Sequence, residues 1–584
     1  MIILGISITH DGTLSLVKNG KNIFSLSEER LNRTKAYIGF PFQALRYIIE
    51  KKIIAPDEIH EVSVSSSVFK SKWAFSYAFE LTENKKYYDV QNQKKPHDVF
   101  INDKGYLNIK SDEDCKTYVY KKIKYILSEV GIHAPINFIE HHLSHASAAY
   151  FSSGFRRALS ITMDGEGDLL SATVSICDGG KINRISQTDH QNSAGNLYSE
   201  ATRLCGYKVS RHEGKITGLA AHGDYKKYES CFDNLVKVRD GKLFYVNPVK
   251  RSIKNRVQNK LLNIIGLDKF TGPAEIIRRC GKMSNKDLAS SIQNLLEKRL
   301  VEVVEYWVEK TGIHDVVLAG GVFANVKFNQ HISMIKKIDN LFIFPDMGDG
   351  GNAYGAAVYS FYKNNKFVPE KITNVYFGPE FTNDYIKNVL TSNKKQIQFE
   401  LSKNICKDTA KLIAENKVIG WFQGRMEYGP RALGNRSIIA SPTDASINKW
   451  LNERMKRTEF MPFAPSCLYE YADELFDIPK ESMKYPAQFM TITFEMKKNW
   501  LDKAPAVSHI DQTARPQLVA KEGNPKFYKL LKEFNKISGL PLFINTSFNV
   551  HEEPIVCNPE EALRSLLTGV IDYLCIGDYI CKLR

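Results

Sequence analysis

Residues 2–18 read IILGISITHDGTLSLVK, and residues 158–178 read ALSITMDGEGDLLSATVSICD. Each stretch is an apolar strand, a turn built from acids and glycine, and a second strand. In the first, MIILGISI enters a His10-Asp11-Gly12 turn and leaves as TLSLVK, and an Asn19-Gly20 turn then leads into a third strand, NIFSLSE, so the region predicts an antiparallel meander. The recurrence of strand, acidic-glycine turn and strand implies two similar subdomains facing each other. Pro41 suits the first turn of a helix running through Tyr47 and Ile48.

Outward from these stretches the chain alternates helix and strand. Leu288, Ile292, Leu295, Leu296, Leu300, Val303, Val304 and Trp307 recur at the helical period and predict a long amphipathic helix over 285–311. The strand DVVLAG follows and ends in Gly320-Gly321. A helix through Asn325 and Phe328, the strand LFIFP, an MGDGG turn and a helix over 352–362 come next. Residues 363–385 are polar and punctuated by Pro and Gly, which places a boundary between a domain 1–370 and a domain 385–584. The second domain carries the strand VIGWFQG, the block GRMEYGPRALGNRS, the strand SIIA, a helix over 444–456, the strand LPLFIN and a last helix opened by Pro559.

The 584 residues are 43% hydrophobic and 25% charged, ordinary values for a globular protein of more than one domain. Ten scattered cysteines without a CxxC support neither a zinc ribbon nor a disulfide framework, so reduced thiols in a cytoplasmic setting are expected. The start MIILGISITHDG lacks the features of a secretory signal, and no apolar run approaches the roughly 20 residues a membrane span needs. The net charge of +15 is spread along the chain. It suits anionic nucleotides as well as RNA, and no RNP, KH or basic-helix signature argues for a nucleic-acid partner. Oligomeric state has no signal here.

The chemistry-bearing residues fall in five blocks. In IEHHLSHASAAYFSSGF, His141 and His145 are spaced i, i+4, which puts two imidazoles on one helix face; Ala146, Ser147, Ala148 and Ala149 allow that helix to pack tightly. Asp164 and Asp349, each flanked by glycine, can supply carboxylates to a divalent metal. A surface or buried, satisfied histidine pair is the plain alternative. Gly320, Gly321 and Asn325 in LAGGVFAN, with Gly348 and Gly350 in MGDGG, follow strands and precede helices, where bare backbone can approach a nucleotide; tight turns are the plain alternative. Arg425, Arg431 and Arg436 stand among glycines, followed by Lys456, Arg457, Arg515, Asn545 and Ser547, a set suited to phosphate recognition. His10, beside Asp11, is a candidate general base toward a substrate hydroxyl, or a surface residue of a hairpin turn.

Taken in order, GISITHDG, HHLSHASAAYFSSGF, MDGEGD, EGKITGLAAHGD, LAGGVFANVKFN, MGDGGNAYGAA, GRMEYGPRALGNRS, MPFAPS, HIDQTARPQ and INTSFN resemble the O-carbamoyltransferases of natural-product biosynthesis, including nodulation-factor, tobramycin and cephalosporin carbamoyltransferases. The resemblance implies an α/β chain: an N-terminal actin-like ATPase domain, ribonuclease H-like and duplicated, and a C-terminal YrdC-like α+β domain. It implies that carbamoyl phosphate and Mg2+-bound ATP give carbamoyladenylate in the second domain, and that the first transfers the carbamoyl group to a hydroxyl of a small natural product. His141, His145 and Asp349, with Asp164 nearby, would hold a divalent metal, iron before zinc or manganese. Gly320, Gly321 and Asn325 would receive the adenylate, His10 would act as base, and Arg431, Arg436, Arg457, Arg515, Asn545 and Ser547 would line the YrdC-like pocket. Many relatives carry lysine where Met455 stands and arginine where Met461 stands, which bears on the phosphate contacts. The threonylcarbamoyl-transfer enzymes of tRNA modification share both folds and are the alternative.

Overall fold

The computed structural model describes residues 1–81, 105–246, 277–455 and 463–584. Strands β1 (Ile2–Ser7), β2 (Thr13–Lys18), β3 (Lys21–Ser27), β4 (Glu61–Ser65) and β5 (Ile136–Ile139) form a sheet in the order β3-β2-β1-β4-β5. A second sheet contains β6 (Arg157–Gly167), β7 (Leu170–Asp178) and β8 (Lys181–Asp189). A separate hairpin, β9 (Val236–Arg239) and β10 (Lys242–Tyr245), precedes its last two strands, β11 (Asp315–Ala319) and β12 (Asn340–Ile343), and its order is β12-β11-β6-β7-β8. Each sheet thus has three antiparallel strands followed by two parallel ones in the same 3-2-1-4-5 order. This is the duplicated, ribonuclease H-like arrangement of an actin-like ATPase.

The helices sit where the strand order requires crossovers. α1 (Phe42–Glu50) begins directly after Pro41. α2 (His141–Ser153) follows β5, α3 (Asn285–Thr311) and α4 (Val326–Ser333) flank β11, and α5 (Gly351–Tyr362) follows β12. α2 and α5 are counterparts, each placed after the fifth strand of its sheet. They pack on each other between the two sheets, α5 against β1, β2 and β4 and α2 against β6 and β11. Small residues make the approach close: a Cβ on Gly355 would overlap the Ser144 carbonyl, and one on Gly5 would overlap the Ala353 carbonyl. All residues of α2 except Leu143 are buried.

Strands β13 (Ile397–Leu401), β14 (Ile419–Phe422), β15 (Arg436–Ala440), β16 (Ala464–Leu468), β17 (Phe476–Asp477), β18 (Phe494–Met496), β19 (Thr513–Ala514), β20 (Gln517–Val519), β21 (Leu542–Ser547), β22 (Tyr573–Ile576) and β23 (Tyr579–Leu583) build the remainder. Eight of them form one mixed sheet, β13-β23-β22-β14-β15-β21-β16-β20, and β17, β18 and β19 a smaller one. α6 (Ile405–Ala414) and α7 (Pro525–Ser538) pack together over a core of Trp421, Phe527, Phe534 and Phe543, and α8 (Pro559–Leu567) begins at the expected proline. Residues 363–382 carry no regular element beyond two isolated bridges, Lys371 pairing with Ser153 and Tyr376 with Glu427, which tie both halves. Arg33 adds a tie by donating to the carbonyls of Pro554 (2.6 Å) and Ile555 (2.9 Å).

One expectation is corrected. Cys231 and Cys280 form a disulfide across 49 positions, and the other eight cysteines are free and buried. No short spacing announces this pair, because folding of the chain before α3 is what brings the two thiols together. Among the described residues no helix is long and apolar enough to cross a membrane.

Candidate active site

The start of α2 is held from three sides. The Glu140 side chain caps it, accepting from Leu143 N at 2.6 Å. Asp168 accepts from His141 N and Ser67 N, both at 2.9 Å, and from Ser66 Oγ, which fastens the helix to the loop after β4. Gly167 lies against the His141 ring so closely that a Cβ there would sit 2.5 Å from Nε2.

This anchoring aims the two imidazoles at Asp164 on β6 and Asp349 in the turn before α5. His145 Nε2 lies 3.1 Å from Asp164 Oδ2 and 3.4 Å from Asp349 Oδ1; His141 Nε2 lies 3.4 Å from each of the same atoms. The two Nε2 atoms are 3.1 Å apart. All four side chains are 18% exposed or less. Burial opposes charge on His141, but Asp349 and Asp164 outweigh it and push its pKa up to about 10; His145 is raised in the same way. Against its own burial, Asp164 is held well below the usual carboxylate range by the same two rings. Neighbouring His142 is kept neutral by burial and by the charge on its two neighbours, with its ring nitrogens against Thr162 Oγ1 and the Leu170 carbonyl.

The four residues fit a divalent cation. For bonds of about 2.1 Å, ligand atoms around a tetrahedral or octahedral ion stand roughly 3.0–3.4 Å apart, which matches the separations here. Two imidazole nitrogens and two carboxylate oxygens suit iron, zinc or manganese. Among the described residues this is the single set of His, Cys, Asp and Glu whose ligand atoms converge in this way. Thr9 Oγ1 donates to the outer oxygen of Asp349 at 2.7 Å and fixes its rotation.

The predicted glycines surround this cluster. Gly320 has φ +103°, and its N–H donates to Met347 O at 2.7 Å, joining the two turns. A Cβ on Gly321 would lie 3.0 Å from Asp164 Oδ1, and one on Gly348 4.0 Å from Asp11 Oδ2. Gly350 leaves room for Asp346, an acid without a sequence signal of its own. Asn325 caps α4, accepting from Lys327 N, and passes its amide on to Gln293 Oε1 at 2.8 Å. Gln293 and Glu297 were hidden in the apolar period of α3; an i, i+4 polar pair within that stripe is the signal that could have marked them. Both line a cavity of about 320 Å³ that also takes in Lys327, His509, Asp511 and Arg515. His10 is exposed at the β1–β2 turn. Asp11 has φ +54°, and burial followed by the Glu29 charge pushes its carboxyl up to about 7.

The arginine block divides in two. Arg436 is fully buried, stacks on Phe422, and spends its donors on the carbonyls of Gln423, Gly424, Asn435 and Pro379. Arg425 donates to Phe377 O (2.6 Å), Ile23 O (2.8 Å) and Gly378 O (3.2 Å). These two guanidiniums pin backbone. Arg431 and Arg515 are different: among the described residues neither guanidinium has a hydrogen-bond or carboxylate partner, whereas Arg436 leaves only its Nε without one. Burial lowers Arg431 to about 10; burial and the charge of Arg431 beside it hold Arg515 well below the arginine range. Two adjacent half-buried cations lacking a counter-ion are suited to holding an anion. Glu427, unremarked in the sequence, shapes the loop by accepting from the N–H groups of Leu433, Asn435 and Arg436. Asn545 Nδ2 reaches the Ala432 carbonyl and Gln517, while its Oδ1 is buried without a partner. Ser547 pairs with Ser437 at the end of β21. Lys456 and Arg457 lie outside the described residues.

Two family models match the chain: carbamoyltransferase N-terminus over residues 2–358 and carbamoyltransferase C-terminus over residues 410–582. Nodulation protein NolNO of Sinorhizobium fredii is 32% identical, covering 98% of this chain and 79% of that protein. Nodulation protein NolO of Bradyrhizobium diazoefficiens is 33% identical over 76% of this chain and 79% of its own length. Among solved structures, HypF of T. kodakarensis aligns with a TM-score of 0.31 at 14% identity, covering 62% of this chain and 47% of that one.

Proposed function

This chain belongs to the carbamoyltransferase family, and from that premise we propose that it is an ATP-dependent O-carbamoyltransferase acting on a small hydroxylated metabolite. The observation that carries the reading is the Arg431–Arg515 pair: two half-buried, uncompensated guanidiniums, one of them in the wall of a cavity shared with Gln293, Glu297 and Lys327 of the N-terminal half.

In this reading residues 385–584 form the YrdC-like activating domain and residues 1–370 the transfer domain. One water cleaves carbamoyl phosphate to carbamate and phosphate, and a carbamate oxygen then attacks the α-phosphorus of Mg2+-bound ATP, displacing pyrophosphate to give carbamoyladenylate. Arg431 and Arg515 hold the phosphate groups and offset their charge. Arg425 and Arg436 keep the loop in shape, and Asn545 steadies it from β21. The intermediate is prone to hydrolysis, and a cavity bounded by both halves keeps water from it. Gly320, Gly321, Gly348 and Gly350 let backbone approach the adenylate, with Asn325 setting the start of α4. His10 takes the proton of the attacking hydroxyl, Asp11 orients it, and AMP leaves. His141, His145, Asp164 and Asp349 would hold the divalent ion, which as a Lewis acid polarises the carbamoyl carbonyl when bound.

The test is mass spectrometry of the enzyme incubated with carbamoyl phosphate, ATP and a panel of hydroxylated acceptors. Carbamoyladenylate, pyrophosphate and an acceptor heavier by one CONH unit are expected. Formation of threonylcarbamoyladenylate from threonine, bicarbonate and ATP, with no use of carbamoyl phosphate, would establish the tRNA-modification alternative instead.

A further inference from the structure

Cleavage of carbamoyl phosphate by water needs a group that takes the water's proton. His10, on the β1–β2 turn, is not in the wall of the cavity that holds Arg515, but another histidine is. Residues 509–512 close into a turn: His509 N donates to Thr513 O at 2.9 Å, Gln512 N donates to His509 O at 2.8 Å, and Gln512 has φ +64°. The turn brings an i, i+2 pair together, with His509 Nδ1 3.1 Å from Asp511 Oδ1. Asp511 is itself held in place. Its Oδ1 also accepts from Thr513 N at 3.0 Å and Thr513 Oγ1 at 2.6 Å, and its Oδ2 lies 3.0 Å from Lys327 Nζ at the start of α4. Both halves of the chain thus fix this carboxylate. Against its partial burial, the hydrogen bond from His509 and the charge of Lys327 keep it well below the usual carboxylate range, so it faces the ring as an anion.

An anion at Nδ1 selects the Nδ1–H tautomer and leaves the lone pair on Nε2. The His509 side chain is 14% exposed; its Nε2 is buried and has no hydrogen-bond partner among the described residues. The His222 ring stands edge-on, with 6.3 Å between centroids, and does not satisfy it. A buried polar atom left unpaired by the protein is costly, and a bound ligand or water that supplies a proton relieves that cost. His509, Asp511 and Arg515 lie on either side of the two-residue strand β19 and line one cavity of about 320 Å³. The lone pair and the guanidinium therefore face a common space.

We propose that His509, oriented by Asp511, is the general base for the water that cleaves carbamoyl phosphate. This rests on the carbamoyl-transfer reading and deepens it. The water oxygen attacks phosphorus, and its proton passes to Nε2. The P–O bond to the carbamoyl group breaks, carbamate leaves with the electron pair, and phosphate keeps the new oxygen. Asp511 offsets the charge of the imidazolium, which then releases its proton to solvent. The experiment uses the full chain with Mg2+ and follows pyrophosphate release by two routes. One starts from carbamoyl phosphate and ATP; the other starts from ammonium carbamate and ATP, which supplies carbamate ready-made and needs no water. His509→Ala should lower kcat on the first route about 1000-fold, the middle of the range for a positioned base, with KM for ATP within about threefold. The second route should stay within about threefold of native, because it bypasses the proton transfer. Should that variant fail to fold, His509→Asn, which keeps a donor toward Asp511, must show the same split. In water labelled with 18O, the native enzyme should place the label in phosphate and none in carbamoyladenylate. Equal losses on both routes, a loss confined to KM for ATP, undiminished use of carbamoyl phosphate, or label in the carbamoyl group each overturns the proposal and leaves the carbamoyl-transfer reading standing. A native enzyme that releases no pyrophosphate from carbamoyl phosphate and ATP overturns both.

Discussion

Arg431 and Arg436 lie five residues apart in one glycine-rich block, and the structure gives them opposite surroundings that substitution can separate. Arg436→Met removes donors from four carbonyls, those of Gln423, Gly424, Asn435 and Pro379, at 2.7–3.2 Å. At about 1 kcal/mol per bond the loss is about 4 kcal/mol. Roughly 2 °C per kcal/mol for a domain of this size gives a fall in Tm of roughly 8 °C. Arg431→Met removes a half-buried cation that has no partner among the described residues and that repels Arg515. Its Tm should hold or rise. A bidentate, charge-assisted grip on phosphate is worth about 3 kcal/mol, so KM for carbamoyl phosphate should rise about 100-fold. Thermal unfolding by circular dichroism and pyrophosphate release at varied carbamoyl phosphate read the two effects independently. If Arg431→Met melts as early as Arg436→Met and keeps its native KM, the division of the block into staples and anion ligands is wrong.

His141→Ala should empty the cation cluster, seen as loss of metal by elemental analysis, and stop transfer to acceptor while pyrophosphate release persists; undiminished metal content would count against the assignment. Gly167→Ala leaves every ligand in place but drives a methyl group into the His141 ring, so metal loss with an intact far-ultraviolet spectrum is expected, and full occupancy would show that the ring has freedom the packing denies it. Glu28 accepts from the N–H groups of Gln43 and Ala44 in the first turn of α1, yet burial pushes its carboxyl from 4.5 up to about 7. The folded state therefore holds this proton more firmly than the unfolded chain, a contribution fully present below about pH 4.5 and lost as pH rises through about 7. Relative to Glu28→Gln, native stability should decline across that window; a constant gap in Tm at pH 4.5, 6 and 7.5 would exclude it.

The duplicated architecture was readable because its mark is local: two apolar strands around an acidic-glycine turn, written twice. His141 and His145 were readable for the same reason, being one helical turn apart, and Asp164 and Asp349 carried glycine neighbours that betrayed turns. What escaped depends on distant partners. Whether an arginine in GRMEYGPRALGNRS faces an anion or a row of carbonyls is decided by where Gly378, Pro379 and Ile23 arrive in space, and the spacing of the block is silent on that. The Cys231–Cys280 bond likewise arises from tertiary placement. Gln293 and Glu297 were masked by the apolar period of α3, since a helix that serves the core on one side and a cavity on another gives a single averaged pattern.

The cluster at the heart of the N-terminal half draws its histidines from one structural repeat and its aspartates from the other. An ion seated there rivets two lobes that also meet through α2 against α5, α5 against the first sheet and α2 against the second. Its grip thus depends on the angle between them, and any event that pries the lobes apart, such as exit of a spent nucleotide, must loosen the rivet. Under the carbamoyl-transfer reading, release of AMP and loss of the cation would then be mechanically coupled.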